Sequence, residues 1–409
     1  MNVRYGSWLV CGALIACSSA SSSVGNDPTP IREGEDPTPR VDAGGDASPA
    51  TDAGNDCAAT PDARPASRVT PSNLPSDICD VPGTDALVVP AGTTMLLDPS
   101  GACDALVPQG EGLPSICVRK YASVSVEGTL SLRASAPGSP AMAIVATDGF
   151  TLAAGGIIDG SGGGSAQEAP AAPDRRGTGY MGPLSSGGGG AGHVTLGGGT
   201  GSCMPDMPNH CSGIAYGPTT GAALVSGAPG ASGSDGSYAP AKGGAPGRGG
   251  GAVQLVSCGA LHLAGSISVS GAPGGKGDNF IEPPHEYPHP SPYEAAAGGG
   301  GGGSGGTLVI EAARITTSGA SLRAVGGAGG NGGDTWRVTP PYGGAGAAGG
   351  AGGTGASPPG EGGAGDSRNY AGGGGGGSVG RIIVNVPADA SVPDIASDPP
   401  ASIGVIATH

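Results

Sequence analysis

Glycine stands at every third place in several stretches of this chain: Gly227, Gly230, Gly233 and Gly236; Gly326, Gly329 and Gly332; and Gly343, Gly346, Gly349, Gly352 and Gly355. Three residues per turn is the period of the extended polyproline II helix, so this spacing leaves one face of bare backbone. Two bare faces can approach until N–H···O bonds and weaker Cα–H···O contacts join them. The same residues also suit a flexible linker, because glycine loses more conformational freedom on ordering than any other residue. A collagen triple helix does not fit, since flanking sequence breaks the triplet phase. Hydrogen exchange across residues 326–377 separates the packed form, a polyglycine II arrangement, from free chain.

These tracts are insertions into something else. Of 87 glycines in 409 residues, only 14 precede Gly149. Between the tracts lie short alternating runs: Val124-Ser-Val126-Glu-Gly128-Thr-Leu130-Ser-Leu132 matches Leu261-His-Leu263-Ala-Gly265-Ser-Ile267-Ser-Val269 place for place. Period two with one apolar face means β-strand. A longer register recurs at Val253, Leu255, Leu261, Leu263 and Ile267, and again at Met142, Ile144, Phe150, Leu152 and Ile157. It returns at Leu308, Ile310, Ile315, Thr317 and Leu322, and a fourth copy starts at Ile382, Val384 and Val386. The starts are 111, 55 and 74 residues apart, so the pattern is regular only inside the strands. A unit of two or three short strands cannot bury its apolar face alone, but stacking on its neighbours makes a continuous core. The expected fold is all-β, a parallel β-helix or β-solenoid with long glycine-rich insertions; an antiparallel β-sandwich is the alternative. Aromatic residues at 3% and charged residues at 12% restrict any core to narrow aliphatic packing.

The N-terminus carries Arg4 and then an apolar run from Trp8 to Ala16, too short to span a bilayer and read as a secretory signal. It ends in Leu14-Ile15-Ala16-Cys17, which resembles the lipobox of bacterial lipoproteins. That resemblance implies lipidation of Cys17 and, with Ser19 two places on, an outer-membrane anchor at the cell surface or periplasmic face. Residues 17–76 repeat Asp27-Pro-Thr-Pro as Asp36-Pro-Thr-Pro and Asp42-Ala-Gly as Asp52-Ala-Gly, and have too little apolar surface to offset ordering entropy. The expected layout is a signal peptide at 1–16, a disordered tether at 17–76, a glycine-rich β-repeat domain at 77–386 and a tail at 387–409. With its lipobox, tether and glycine-studded strand repeats, the chain looks like the large glycine-rich lipoproteins of environmental Gram-negative bacteria. In composition it is similar to the PE-PGRS proteins of mycobacteria, through Gly-Gly-Ala and Gly-Gly-Asn triplets.

Export bears on the cysteines. In an oxidising compartment Cys57, Cys79, Cys103, Cys117, Cys203, Cys211 and Cys258 permit three disulfides and one spare thiol, with Cys103–Cys117 and Cys203–Cys211 the closest pairs. No CxxC spacing supports zinc. The HExxH of Pro284-His-Glu-Tyr-Pro-His289-Pro contains Pro288, which forbids the helix that motif needs. Gly329-Gly-Asn-Gly-Gly-Asp334-Thr-Trp336 fits a calcium β-roll nonapeptide once, which makes Asp334 a weak calcium candidate without the tandem copies such sites require. Both GxSxG matches, at Ser304 and Ser378, lack the strand-to-helix turn of a nucleophile elbow.

A formal charge of −15 with only Lys120, Lys242 and Lys276 as lysines excludes nucleic acid as a partner. No cofactor signature is present. Glycoside cleavage on a β-helix needs paired carboxylates, for which Glu127, Asp148, Asp159 and Glu311 are the candidates; the alternation reads them as solvated outward positions. The expected function is therefore non-enzymatic: a lipid-anchored structural or adhesive surface protein held to the membrane by its N-terminal lipid and contacting surface glycans or other surface proteins. The alternative is a surface polysaccharide-active enzyme using groove carboxylates.

Overall fold

The structure, a computed structural model, describes residues 68–409 apart from 111, 134–138, 165–186, 201–211, 217–222, 237–240, 283–295, 339–340, 345–347, 365–370 and 392–393. The signal, Cys17, most of the tether, Cys57, Cys203, Cys211 and the HExxH stretch lie outside the described residues. Within them the chain is all-β. In chain order the strands are β1 (Val69–Thr70), β2 (Ala86–Val89), β3 (Thr94–Leu97), β4 (Ala105–Val107), β5 (Ile116–Val126), β6 (Thr129–Leu132), β7 (Ala141–Leu152), β8 (Ile157–Asp159), β9 (Ala252–Leu263) and β10 (Ser266–Ser268). They continue as β11 (Phe280–Glu282), β12 (Thr307–Thr317), β13 (Ser321–Arg323), β14 (Thr335–Val338), β15 (Pro341–Gly344), β16 (Arg381–Val386), β17 (Ala396–Asp398), β18 (Ser402–Val405) and β19 (Ala407–Thr408).

Long strands build one sheet in the order β18-β16-β12-β9-β7-β5-β2, with β4 paired to β5, and short strands build a second in the order β17-β13-β10-β8-β6-β3. Along both paths every pair is parallel, and only β4 is antiparallel to its neighbour. The antiparallel sandwich is thereby overturned. Parallel pairing follows from the chain path, since each long strand turns into a short one and the chain returns to the same starting edge only after an excursion.

The apolar register is the pairing register. Met142 pairs with Val253, Val253 with Leu308 and Leu308 with Ile382; Ile144, Leu255, Ile310 and Val384 form the next rung, and Phe150, Leu261 and Ile315 a third. β5 and β12 each have one residue fewer than β7 and β9 at a bulge, which is the residue dropped between Ile310 and Ile315. In the short sheet Leu130, Ile158, Ile267 and Leu322 align. The sequence register put Ile157 at that place. The turn 153–156 carries two extra residues, which preserves strand parity, so Ile158 is fully buried and Ile157 faces out at 39% exposure. Inward residues of both sheets merge into one aliphatic core that includes Val126, Leu152, Leu255, Leu263, Ile267 and Leu308.

The outer face of the long sheet is covered too. Val69, Leu74 and Cys79 from the segment before β2, with Ile406 from the C-terminus, pack with Ile116, Val118, Val145, Val256 and Val309. This strap is held by β1 pairing antiparallel with β19 and by a Cys79–Cys258 disulfide into β9. Residues from 69 onward supply apolar cover, and β17 and β18 extend the two sheets. Composition alone hid this, since a cover needs only a few apolar residues.

The glycine tracts form a layer of extended segments, here called legs, attached to the strand ends. The legs at 241–251, 296–306 and 371–380 feed β9, β12 and β16, and those at 269–279 and 324–334 leave β10 and β13. In the leg 296–306 nine successive N–H groups are bonded outward with period three. Gly298, Gly301 and Ser304 donate to Ser234, Ala231 and Ala228; Gly299, Gly302 and Gly305 to Gly372, Gly375 and Ser378; Gly300, Gly303 and Gly306 to Gly275, Ala272 and Val269. The distances are 2.8 to 3.0 Å. On its remaining sides the same leg lies against three others, so that an added Cβ would stand 2.0 Å from Gly189 O at Gly301, from Gly327 O at Gly302 and from Arg248 O at Gly303. A leg surrounded by six others has no place for any side chain, and the six consecutive glycines 298–303 and 372–377 are the two such runs. At the rim the rule relaxes. In 324–334 two residues of each three are glycine and Ala328 and Asn331 face solvent, while Pro273, Lys276 and Asn279 do so on 269–279. Among the described residues these tracts are hydrogen-bonded to one another through their backbones.

Candidate functional site

The legs all run away from the two sheets, and their remote ends meet at one level. There Ala297 donates to Asp278 O, Gly333 to Ala297 O, Gly298 to Ser234 O and Gly299 to Gly372 O. Two legs continue past this level as strands. β11 prolongs 269–279 and β14 prolongs 324–334, and with β15 they form a three-stranded sheet in the order β11-β14-β15. Its root is pinned: Phe280 N donates to Asp334 O at 2.9 Å, Asp334 N to Asn279 Oδ1 at 2.9 Å, and Lys276 Nζ pairs with Asp334 Oδ2 at 2.5 Å.

Asp334 stands at this junction. Its carboxylate is engaged by Lys276, and Asn331 Oδ1 of the same nonapeptide accepts Gly349 N at 2.9 Å. The stretch is the end of a leg and the start of a strand, with no second copy stacked on it. Among the described residues no group of three His, Cys, Asp or Glu side chains is placed to hold a metal ion.

The four candidate carboxylates are not brought together. Glu127 follows β5 in an exposed turn, Asp148 is exposed at the bulge of β7, and Asp159 in the short sheet lies 3.7 Å from Arg133. Glu311 is the correction. Instead of facing solvent it is fully buried under the strap, where it accepts from Ser72 N at 3.2 Å, Ser72 Oγ at 2.7 Å, Gln254 Nε2 at 2.6 Å and Asn385 Nδ2 at 2.7 Å. Three neighbouring strands and the cover thus meet at one carboxylate, which makes it a clasp; a buried charge is tolerated when its lone pairs are filled this way. His262 faces out in the row of Ser125, Thr151 and Thr316, with its Nδ1 3.1 Å from Thr316 Oγ1.

Of the cysteines, Cys103 and Cys117 are bonded as spacing suggested, stapling β4 to the head of β5. Cys79 takes Cys258, a partner 179 residues away that spacing could not indicate. Sequence reasoning also missed a buried histidine packed against a half-buried tyrosine beside the glycine layer. His193 is 1% exposed, and the Tyr216 ring meets it edge-on at 5.2 Å. Burial pushes the His193 imidazole down to about 4 and the Tyr216 phenol upward. Single residues in glycine-rich text carry no periodicity by which to find them.

No protein-family model matches the chain, and no curated protein or solved structure matches it either.

Proposed function

We propose that this is a lipid-anchored surface protein of structural or adhesive function, in which stacked strand pairs form a β-solenoid and the glycine legs a polyglycine II layer carried on its side. The observation that supports the reading best is the run of nine successive N–H groups in the leg 296–306 that are all bonded to other legs. Backbone locked on all sides makes a stiff arm without large side chains, suited to holding a contact surface away from a membrane. The lipobox ending in Cys17 and the Pro/Asp/Ala tether supply the anchor and the reach. Dispersal of the four carboxylates over separate elements agrees with a non-catalytic role.

Two measurements test this. Palmitate labelling of cells producing the protein is expected to tag it and to be lost in Cys17→Ser. The purified mature chain is expected to bind cells or surface glycans without turning them over. Turnover abolished by substitution of a single carboxylate would replace this reading with the enzymatic one.

A further inference from the structure

We propose that β18 is a self-association edge, through which two copies of this chain join their long sheets end to end as a closed dimer. The inference goes beyond the adhesive reading and does not depend on it. β18 (Ser402–Val405) is the last strand of the long sheet and, among the described residues, has a strand neighbour only on its β16 side. Ile403 pairs with Val384 and Val405 with Val386, so both stand on the inner face in line with the aliphatic core. They are nonetheless 48% and 74% exposed. At the opposite end of the sheet β2 keeps its inner residues, Leu87 and Val89, at 5% and 0%. There β4, which exposes Leu106, is blunted: three residues long, antiparallel to β5 and preceded by Asp104. The β18 end alone leaves a strand of core residues without cover.

The edge selects its own copy as that cover. Natural edge strands are guarded by lysine, proline, a bulge or an inward charge, and β18 has none of these. Its backbone groups call for another strand, and its two inner side chains for an apolar one. In a chain of formal charge −15 like copies repel where their charges meet. Pro399 to Thr408 contains no charged residue, and the carboxylate just before it, Asp398, accepts Gly355 N at 2.6 Å. Antiparallel pairing about Gly404 places Ile403 of each copy opposite Val405 of the other, with all four side chains on the inner side. A strand that matches itself in this way makes an isologous contact, which closes at two copies. Addition of β18 to the β2 end of another copy, which would build an open filament, meets inner residues that are already covered.

Sedimentation velocity on the full-length chain carrying Cys17→Ser, so that no lipid can hold copies together, tests this from about 1 to 200 μM, the range in which a contact below standard interface size associates. A reversible monomer–dimer equilibrium is expected. Val405→Lys, at a position the monomer leaves open, is expected to weaken it at least tenfold with an unchanged unfolding midpoint, while Leu96→Lys, exposed on β3, leaves it intact. Cross-linking reads the register. An equimolar mixture of Ile403→Cys and Val405→Cys proteins is expected to give oxidised dimers, because facing residues of an antiparallel pair lie about 4.5–5.5 Å apart, within disulfide reach. Either variant alone is expected to give no more than the unsubstituted protein, its two thiols being diagonal neighbours about 7–8 Å apart. A chain that stays monomeric throughout, association that continues past the dimer, a dimer undiminished by Val405→Lys, or cross-linking of one variant alone as full as that of the mixture would each overturn the proposal.

Discussion

Gly302→Ala measures how much the glycine layer depends on bare backbone. The new Cβ would stand 2.0 Å from Gly327 O, and ordinary contact begins at 3.4 Å, so the two legs must part by about 1.4 Å. Those legs are joined on either side of the contact by Gly327 N to Gly303 O at 2.8 Å and Gly330 N to Gly300 O at 2.7 Å. Parting by that amount carries both bonds beyond hydrogen-bonding range. Two lost bonds at about 1 kcal/mol each, plus about 1–3 kcal/mol for overpacking, outweigh the roughly 0.4–1 kcal/mol gained by restricting the unfolded chain. The net expectation is destabilisation by about 3 kcal/mol. Gly149→Ala is the matched control, because its Cβ would meet only Ala260 O at 3.7 Å and is expected to change stability by less than about 0.5 kcal/mol. Urea unfolding followed by circular dichroism compares the two, and hydrogen exchange across 298–306 locates the effect. Equal midpoints for both substitutions would show that the legs are not in backbone contact, and the reasoning would fail.

Glu311→Ala leaves the donors of Ser72, Gln254 and Asn385 buried without their acceptor; a loss of about 3–5 kcal/mol is expected, with limited proteolysis reporting earlier cleavage near residues 68–80. Removing the disulfides separates their roles. By loop-closure entropy Cys79→Ser with Cys258→Ser is expected to lower stability by about 5 kcal/mol, and Cys103→Ser with Cys117→Ser by about 3 kcal/mol, the order being read from denaturation midpoints. His193 sets a pH response. Its folded value of about 4 lies below the ordinary 6.5, so the unfolded chain binds the extra proton between those values; its contribution is intact above pH 6.5 and declines as pH falls towards 4. The decline amounts to about 3 kcal/mol, and His193→Phe is expected to flatten that part of the profile in urea titrations at pH 7 and pH 4.5.

Strand register was legible because an aliphatic core between two sheets imposes period two on every rung. Leu255, Ile310 and Val384 align in the sequence for the reason that they touch in space. Ile157 was misplaced because a turn may gain two residues without altering parity, and a single unit cannot reveal which count holds. Glu311 was legible as a strand residue and not as a buried one. Its alternation marks the face turned away from the main core, and whether that face meets solvent depends on a strap contributed from 239 residues earlier. The Cys79–Cys258 bond is hidden for the same reason, as separation in sequence says nothing about which strand a cover crosses.

Glycine density, by contrast, reads as a depth gauge. A leg with one ridge pressed onto neighbouring backbone requires glycine at one place in three along that ridge, as Gly227, Gly230 and Gly233 show against Ser304, Gly301 and Gly298. A leg bordered on two sides requires two in three, as in Gly326-Gly-Ala-Gly-Gly-Asn-Gly-Gly333, where the third places Ala328 and Asn331 stay exposed. Only a leg enclosed on every side requires glycine at all three, and the two runs that meet this condition, 298–303 and 372–377, are buried along their whole length. Ser304 shows how a polar side chain is accommodated inside the layer: its Oγ accepts Ala228 N at 2.9 Å. The entropy given up by ordering so much glycine is therefore offset residue by residue through hydrogen bonds that side chains would have prevented. A flexible linker of the same composition would show no such correlation between glycine phase and burial.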